Sequence, residues 1–366
     1  MDVESNSLYA YRECLCLLQV SLANEDYVID PLAGFRLDGL EEILSNASIE
    51  KVFHAAEYDI GLLKREYPCE IHNIFDTMWA ARILGYKKLG LANLVQEFFG
   101  VELDKRLQTA NWAKRPLTPA LLEYAQRDTF FLYPLRDVLA NALQTSGLWT
   151  EACEHFLSLE KIPPSDNEFD PEGFWRLPGA RTLRGRSLAA LKALYEFRDA
   201  QARRLDRPSF KVLSKEVLVA IAKSMPRTLD QLAAVQGMNW SLVRQFGEQI
   251  LEVVRRSHTA PVPAYPKRKW NETHTGVGYR LDALLEWRKQ AARERGVESD
   301  VILTRDLALA IALADPQSLD ALSRVDGLGP YKLRQYGERI LTVLAEARLT
   351  EAQDSSTETE APKEQI

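Results

Sequence analysis

The stretch KVFHAAEYDIGLLKREY, residues 51–67, decides the fold. KVFHAA (51–56) is a short apolar run that predicts a buried strand, and EYDIGLLKREY then mixes charged and apolar residues and predicts a helix. Asp59 falls just past that strand, near the helix start. Upstream, CLCLLQVSL (14–22) and YVIDPL (27–32) are β-rich runs split by Asn24-Glu25-Asp26, which predicts a hairpin, and LDGLEEILSN (37–46) predicts a helix. Downstream, IFDTMWAARILG (74–85) starts as a strand and passes into a helix, and one long helix is expected from Thr118 to Leu143. Strands first, then strands alternating with helices, indicate an α/β domain with a mixed sheet flanked by helices.

The chemistry-bearing residues of this domain are acids. Asp2 and Glu4 lie two apart on an extended segment and so point to one side. Tyr124 and Asp128 lie four apart on a helix and share a face. If these acids and Asp59 converge with no basic partner, their mutual repulsion calls for a cation. Hard oxygen ligands of this kind select Mg²⁺ or Mn²⁺. His54 reads as a core histidine, not a metal ligand. Lys105, Gln108, Trp112 and Arg115, in the loop before the long helix, are candidate substrate contacts through phosphate charge and base stacking.

The chain has 366 residues, 46% hydrophobic and 27% charged, enough for two or three globular domains. No run of about 18 apolar residues predicts a membrane span, and MDVESNSLYAYREC carries no export signal. The four cysteines form no CxxC pair and read as reduced core residues, which fits a cytoplasmic protein. The net charge of −6 is unevenly spread. Residues 171–280 carry 20 basic and 9 acidic side chains, net +11, while residues 1–150 are net −7. A basic block between acidic ones is the footprint of a polyanion-binding segment, since Lys and Arg gain affinity by releasing phosphate counterions.

That block contains half of an internal repeat. LKALYEFRDAQARR from Leu191 aligns with LDALLEWRKQAARE from Leu281, an offset of 90 that also pairs Arg198 with Arg288, Gly237 with Gly327 and Gly247 with Gly337. Leu191, Leu194, Tyr195 and Arg198 follow helical spacing, and Ser214 and Thr304 are expected N-caps, so each copy is a small all-α bundle. In the second copy, Asp326-Gly327-Leu328-Gly329 either offers backbone N–H groups to a phosphate or simply connects two helices. PVPAYPKRKWN (261–271) is a basic aromatic tether, and the tail lacks apolar anchors and is expected to be disordered.

The order DxE (Asp2, Glu4), HAAxxD (Asp59), YxxxD (Tyr124, Asp128) resembles the DEDD exonuclease superfamily in its tyrosine-containing branch. IFDTMWAARILGY and LDKRLQTANWAKRPLTPALLEYAQRDTFFLYPL resemble ribonuclease D, and the two repeats resemble HRDC domains, modules that commonly bind nucleic acid or partners. The resemblance implies a ribonuclease H-like exonuclease domain over 1–150, a linker over 151–180, HRDC-like domains over 181–258 and 271–348, a basic linker over 259–270, and a tail over 349–366. It further implies a 3′-to-5′ exoribonuclease using two divalent cations held by Asp2, Glu4, Asp59 and Asp128, with Tyr124 orienting the attacking water. The implied partner is RNA with a free 3′ end, such as transfer RNA precursors, met by a cytoplasmic monomer. A 3′-5′ DNA exonuclease of the same superfamily is the alternative.

One departure stands out. Family members carry several apolar residues before the DxE pair, whereas here Asp2 follows Met1 directly. A frayed first strand is therefore expected, or a start that lies further upstream. Either would make this chain less active than an N-terminally extended one, down to a catalytically impaired scaffold, and equal rates would refute that expectation.

Overall fold

The computed structural model describes all residues except 24, 35, 36, 38, 167, 266–274 and 360–366. Asn24 of the expected hairpin turn, much of the basic tether and the end of the tail lie outside the described residues.

The first domain runs β1 (Asp2–Ser5), β2 (Leu15–Ser21), β3 (Asp26–Ile29), α1 (Leu40–Ser45), β4 (Lys51–Phe53), α2 (Glu57–Glu66), β5 (Ile74–Asp76), α3 (Thr77–Ile83), α4 (Leu91–Phe99), α5 (Pro119–Phe130), α6 (Leu132–Thr145) and α7 (Trp149–Leu159). Cys16, Leu17 and Leu18 in β2 are fully buried, as expected of a strand covered on both faces. β2 pairs antiparallel with both β1 and β3, while β4 and β5 pair in parallel. The Met1 nitrogen donates to the Val52 carbonyl at 2.6 Å, so the two sheets meet where β1 passes β4. The result is the expected mixed α/β architecture.

The structure corrects three expectations here. The first strand is not frayed: Asp2, Val3, Glu4 and Ser5 are all laddered to β2, and Val3 is buried. The long helix expected over 118–143 is two helices, α5 and α6. Pro134 has no N–H for the Phe130 carbonyl, and its ring crowds that carbonyl, so the chain breaks at Phe131. Finally, α7 is no linker. It buries Ala152, Phe156 and Leu159 in the first domain's core, with the Phe156 ring 4.8 Å from that of Phe75. The prolines at 163 and 164 follow it, and Phe174, Trp175 and Leu183 already pack into the next core.

The two repeats form matching bundles. The first comprises α8 (Gly185–Leu205), α9 (Ser209–Val212), α10 (Lys215–Ser224), α11 (Leu229–Ala233) and α12 (Trp240–Ser257). The second comprises α13 (Thr275–Arg295), α14 (Ser299–Ile302), α15 (Arg305–Ala314), α16 (Leu319–Ser323) and α17 (Pro330–Thr359). Ser214 and Thr304 cap α10 and α15, accepting from the N–H groups of Val217 and Leu307. Gly237 and Gly327 turn the chain at φ 85° and 84°, a conformation that favours glycine. The tail expectation is corrected in part. α17 continues unbroken past residue 349 to Thr359, because residues 349–359 include no proline or glycine and Glu351 approaches Arg280 at 3.8 Å.

Both bundles touch the first domain. In the second, Arg295 grips Glu151 through two bonds at 2.8 and 2.7 Å, and Arg82 pairs with Asp300. Glu154 accepts the Tyr331 N–H at 2.8 Å, and a side chain on Gly329 would meet the Glu154 carboxyl at 2.0 Å. The Gly-rich turn before α17 is therefore covered by a carboxylate of this chain, which takes the Tyr331 N–H at the helix start, and is not open to a phosphate. In the first bundle, Asp199 accepts the Tyr11 hydroxyl at 2.8 Å and Asp206 accepts the Tyr11 N–H at 3.1 Å. The Lys211 ammonium lies 4.3 Å above the Tyr9 ring.

Candidate active site

Alternation along β1 puts Asp2 and Glu4 on one face, and one helical turn separates Tyr124 from Asp128 on α5. α5 packs against β2 and β3, so the two pairs converge. Carboxylate oxygens of Asp2, Glu4 and Asp128 all lie within 4.8 Å of one another. They line a cavity of about 460 Å³ together with Tyr124, Lys105 and Gln108. Asp59, in the first turn of α2, is buried and close enough to feel the charges of Asp2 and Glu4, but it is not part of this close-set group and does not line the cavity.

Asp59 is placed by a residue the sequence reading passed over. Asp76 is fully buried and its carboxylate accepts N–H groups from Ala55 (3.2 Å), Ala56 (2.7 Å) and Trp79 (3.0 Å). It thereby caps α3 and holds the turn into α2, in which Ala55 takes a left-handed φ of 62°. The signal was present, since an Asp directly before an apolar helical run is an N-cap. Gln19 was also missed. It stands opposite Asp2 in the ladder, fully buried, with neither amide atom hydrogen-bonded. Nothing in its sequence neighbourhood announced that.

Two of the four expected substrate contacts change role. Arg115 does not line the cavity. Its guanidinium forks onto Asp30 at 2.7 and 2.6 Å and reaches the carbonyls of Trp112 and Cys16, so it fastens the loop to β2 and β3. Trp112 reaches the cavity lining but is buried at 1% exposure with its ring 5.9 Å from that of Tyr124, which it braces, leaving too little open face to stack a base. Lys105 and Gln108 are exposed on the cavity wall. His54 bonds Thr77 through Nδ1 at 2.9 Å, and burial depresses its pKa to about 4, so it is a neutral core histidine at the cavity edge.

The electrostatics are those of a site that lacks its counter-charge. Burial and the Asp2 and Asp128 charges push Glu4 up to about 9, and burial and Asp2 push Asp128 up to about 8. Asp2 is raised to about 6 by burial, and Asp59 is driven well above the ordinary carboxylate range by burial and Asp2. Burial and the same carboxylates raise the Tyr124 hydroxyl. Among the described residues no Lys or Arg side chain pairs with any of the four acids. A close-set oxygen donor group with an unbonded amide beside it suits a hard divalent cation.

Residues 1–144 match the 3′-5′ exonuclease family, and residues 187–254 and 279–344 each match the HRDC domain. The ribonuclease D of Gluconacetobacter diazotrophicus is 31% identical over 291 residues, which is 78% of this chain and 73% of that protein. An exosome complex component 10 homolog of Caenorhabditis elegans is 32% identical over 69% of this chain, but the match spans only 30% of that protein's length. The crystal structure of Escherichia coli RNase D, described as an exoribonuclease involved in structured RNA processing, superimposes with a TM-score of 0.67 at 26% identity, covering 94% of this chain and 92% of that one. With its DxE and YxxxD acids gathered in one cavity and two HRDC bundles behind them, the chain belongs to the ribonuclease D family of 3′-5′ exoribonucleases.

Proposed function

We propose that this chain removes nucleotides one at a time from the free 3′ end of RNA, releasing nucleoside 5′-monophosphates, with transfer RNA precursors in the cytoplasm as the natural substrate class and a monomer as the working form. The observation that carries the reading is the meeting of Asp2, Glu4 and Asp128 within 4.8 Å, with no Lys or Arg side chain paired to them among the described residues. Those three and Asp59 would hold two divalent cations, Mg²⁺ or Mn²⁺. When bound, such cations supply a nucleophilic water at neutral pH and stabilise charge at both ends of the reacting phosphodiester.

The chain's own residues do the positioning. Tyr124 keeps its proton at neutral pH, so its hydroxyl donates to and orients a water and does not act as a base. Trp112 behind it fixes the ring. Lys105 on the wall offers its charge to a phosphate, and Gln108 offers an amide to a sugar or base. Water adds to phosphorus, the bond to the 3′-oxygen of the preceding nucleotide breaks, and that oxygen leaves with a proton.

A 3′-end-labelled RNA and the matching DNA, incubated with Mg²⁺ or Mn²⁺, test this. The wild type should release the label from the RNA as a mononucleotide in its first step, and Asp128→Asn should lose about 10²–10³-fold in rate, the scale of removing one preorganised electrostatic group. Faster cleavage of the DNA would reassign the substrate, and equal rates for mutant and wild type would remove the mechanism.

A further inference from the structure

The two HRDC copies use one face in opposite ways. In the second copy, that face is closed against the first domain. Val301 is 2% exposed and belongs to the first domain's core, Val297 packs beside it, Asp300 pairs with Arg82, and the start of α17 receives Glu154. Shifted by 90 residues, the same positions in the first copy read differently. Val297 becomes Arg207, Asp300 becomes Phe210, Val301 becomes Lys211 and Pro330 becomes Trp240. Phe210 is 49% and Trp240 55% exposed. Arg207 and Lys211 are exposed, as is Arg244 one turn along α12, and among the described residues none of the three forms an ion pair. In the second copy, Lys332 near the start of α17 donates to the Val301 carbonyl at 2.6 Å and ties that helix start to α14. By the 90-residue register, α9 and the start of α12 in the first copy correspond to α14 and the start of α17 in the second.

This face adjoins the catalytic cavity. Lys211 covers the Tyr9 ring, and the Tyr9 hydroxyl donates to the Thr109 carbonyl at 2.6 Å. Ser7 and Leu8, just before Tyr9, and Gln108, just before Thr109, all line the cavity. Cations for phosphates, interleaved with open aromatic rings for unstacked bases, are what a single strand of RNA needs. A protein partner of the kind seated on the second copy would need apolar residues at 207 and 211, where cations stand.

We propose that Arg207, Phe210, Lys211, Trp240 and Arg244 bind the single-stranded stretch of RNA that leads into the cavity, upstream of the nucleotide being removed. This rests on the catalytic reading above for the direction in which the strand runs. The test uses the full chain with a chelator, so that binding is read without cleavage, and a 5′-labelled 12-nucleotide RNA followed by fluorescence anisotropy across a salt series. Phe210→Ala with Trp240→Ala should weaken binding about tenfold, within the range for lost base stacking. Arg207→Gln with Lys211→Gln should reduce the slope of log affinity against log salt by about 0.7 for each phosphate contact removed. Phe210→Tyr with Trp240→Tyr, which keeps the ring faces, should stay close to wild type. An unchanged affinity and slope in both pairs would overturn the proposal, as would an equal proportional loss on a trinucleotide that fits in the cavity alone. Wild type that binds the 12-mer but leaves it uncut after Mg²⁺ is added would instead count against the catalytic reading only.

Discussion

In the clasp between the first domain and the second HRDC bundle, Arg295 holds Glu151 through two bonds and Arg82 holds Asp300. In the catalytic cavity, Asp2, Glu4 and Asp128 crowd within 4.8 Å of one another, and among the described residues no Lys or Arg side chain pairs with them. Both regions take carboxylates out of water. In the clasp each is answered by a guanidinium, so the charges fix one domain against another. In the cavity each acid raises the pKa of the next, so the arrangement is complete only when something from outside supplies positive charge. The contrast teaches where to look for a ligand: not where buried charge is abundant, but where it is unanswered.

The largest expected effect breaks the answered side. Arg295→Leu leaves Glu151, 1% exposed, without its partner and should cost about 3–5 kcal/mol in chemical unfolding. Adding Glu151→Leu should recover most of that loss. A cost well under about 1 kcal/mol for the single change would mean that the clasp is ornamental.

The next effect sharpens the unanswered side. With Glu4 held at about 9 and Asp128 at about 8, cation binding at neutral pH must displace protons. Mn²⁺ affinity should therefore climb between pH 6 and 9, by up to about tenfold per pH unit for each proton displaced. A calorimetric titration series that gives a flat profile would show that the carboxylates are already ionised.

A smaller effect has an inverted sign. Between about pH 4 and 8, the folded cation-free protein holds protons that the unfolded chain has released, so its stability falls as pH rises through that window. Asp128→Asn removes part of this repulsion and should stabilise the cation-free protein by about 0.5–2 kcal/mol at pH 8 while disabling it. Destabilisation would contradict the repulsion argument.

The last lies at the clasp's edge. His155 packs against Trp79 with ring centroids 3.7 Å apart and planes tilted by 38°, and burial, reinforced by Lys332 and Arg82, lowers its pKa to about 3. The unfolded chain takes up that proton below about pH 6.5 and the folded one does not, so stability is lost as pH falls from 6.5 toward 3. His155→Phe should lose less of its melting temperature than wild type between pH 7 and 5. A parallel fall would show that His155 is charged in place.

Much of this was legible in the sequence because local rules carried it. The alternation of DxE, the helical turn in YxxxD, the caps at Ser214 and Thr304 and the 90-residue offset each need only a few neighbouring residues. Even the break between α5 and α6 was readable at Pro134, had that residue been given its weight. What stayed hidden depends on distant partners. Arg115 looked free for a phosphate until folding brought Asp30 to it across 85 positions. The Gly-rich turn at 326–329 looked open to an anion until Glu154 arrived from α7. Trp112 looked like a stacking surface until β2 and Tyr124 closed over it.

Asp76 has a wider reach than its burial suggests. Its two oxygens face N–H groups from the chain on either side of β5, so one side chain rivets the starts of two helices. An amide of the same shape would turn its NH₂ toward one of those donors, so only a carboxylate fits. The alignment of Asp59 with the other acids is therefore set by a residue that never meets RNA, and wear at that rivet would reach catalysis before it reached the substrate.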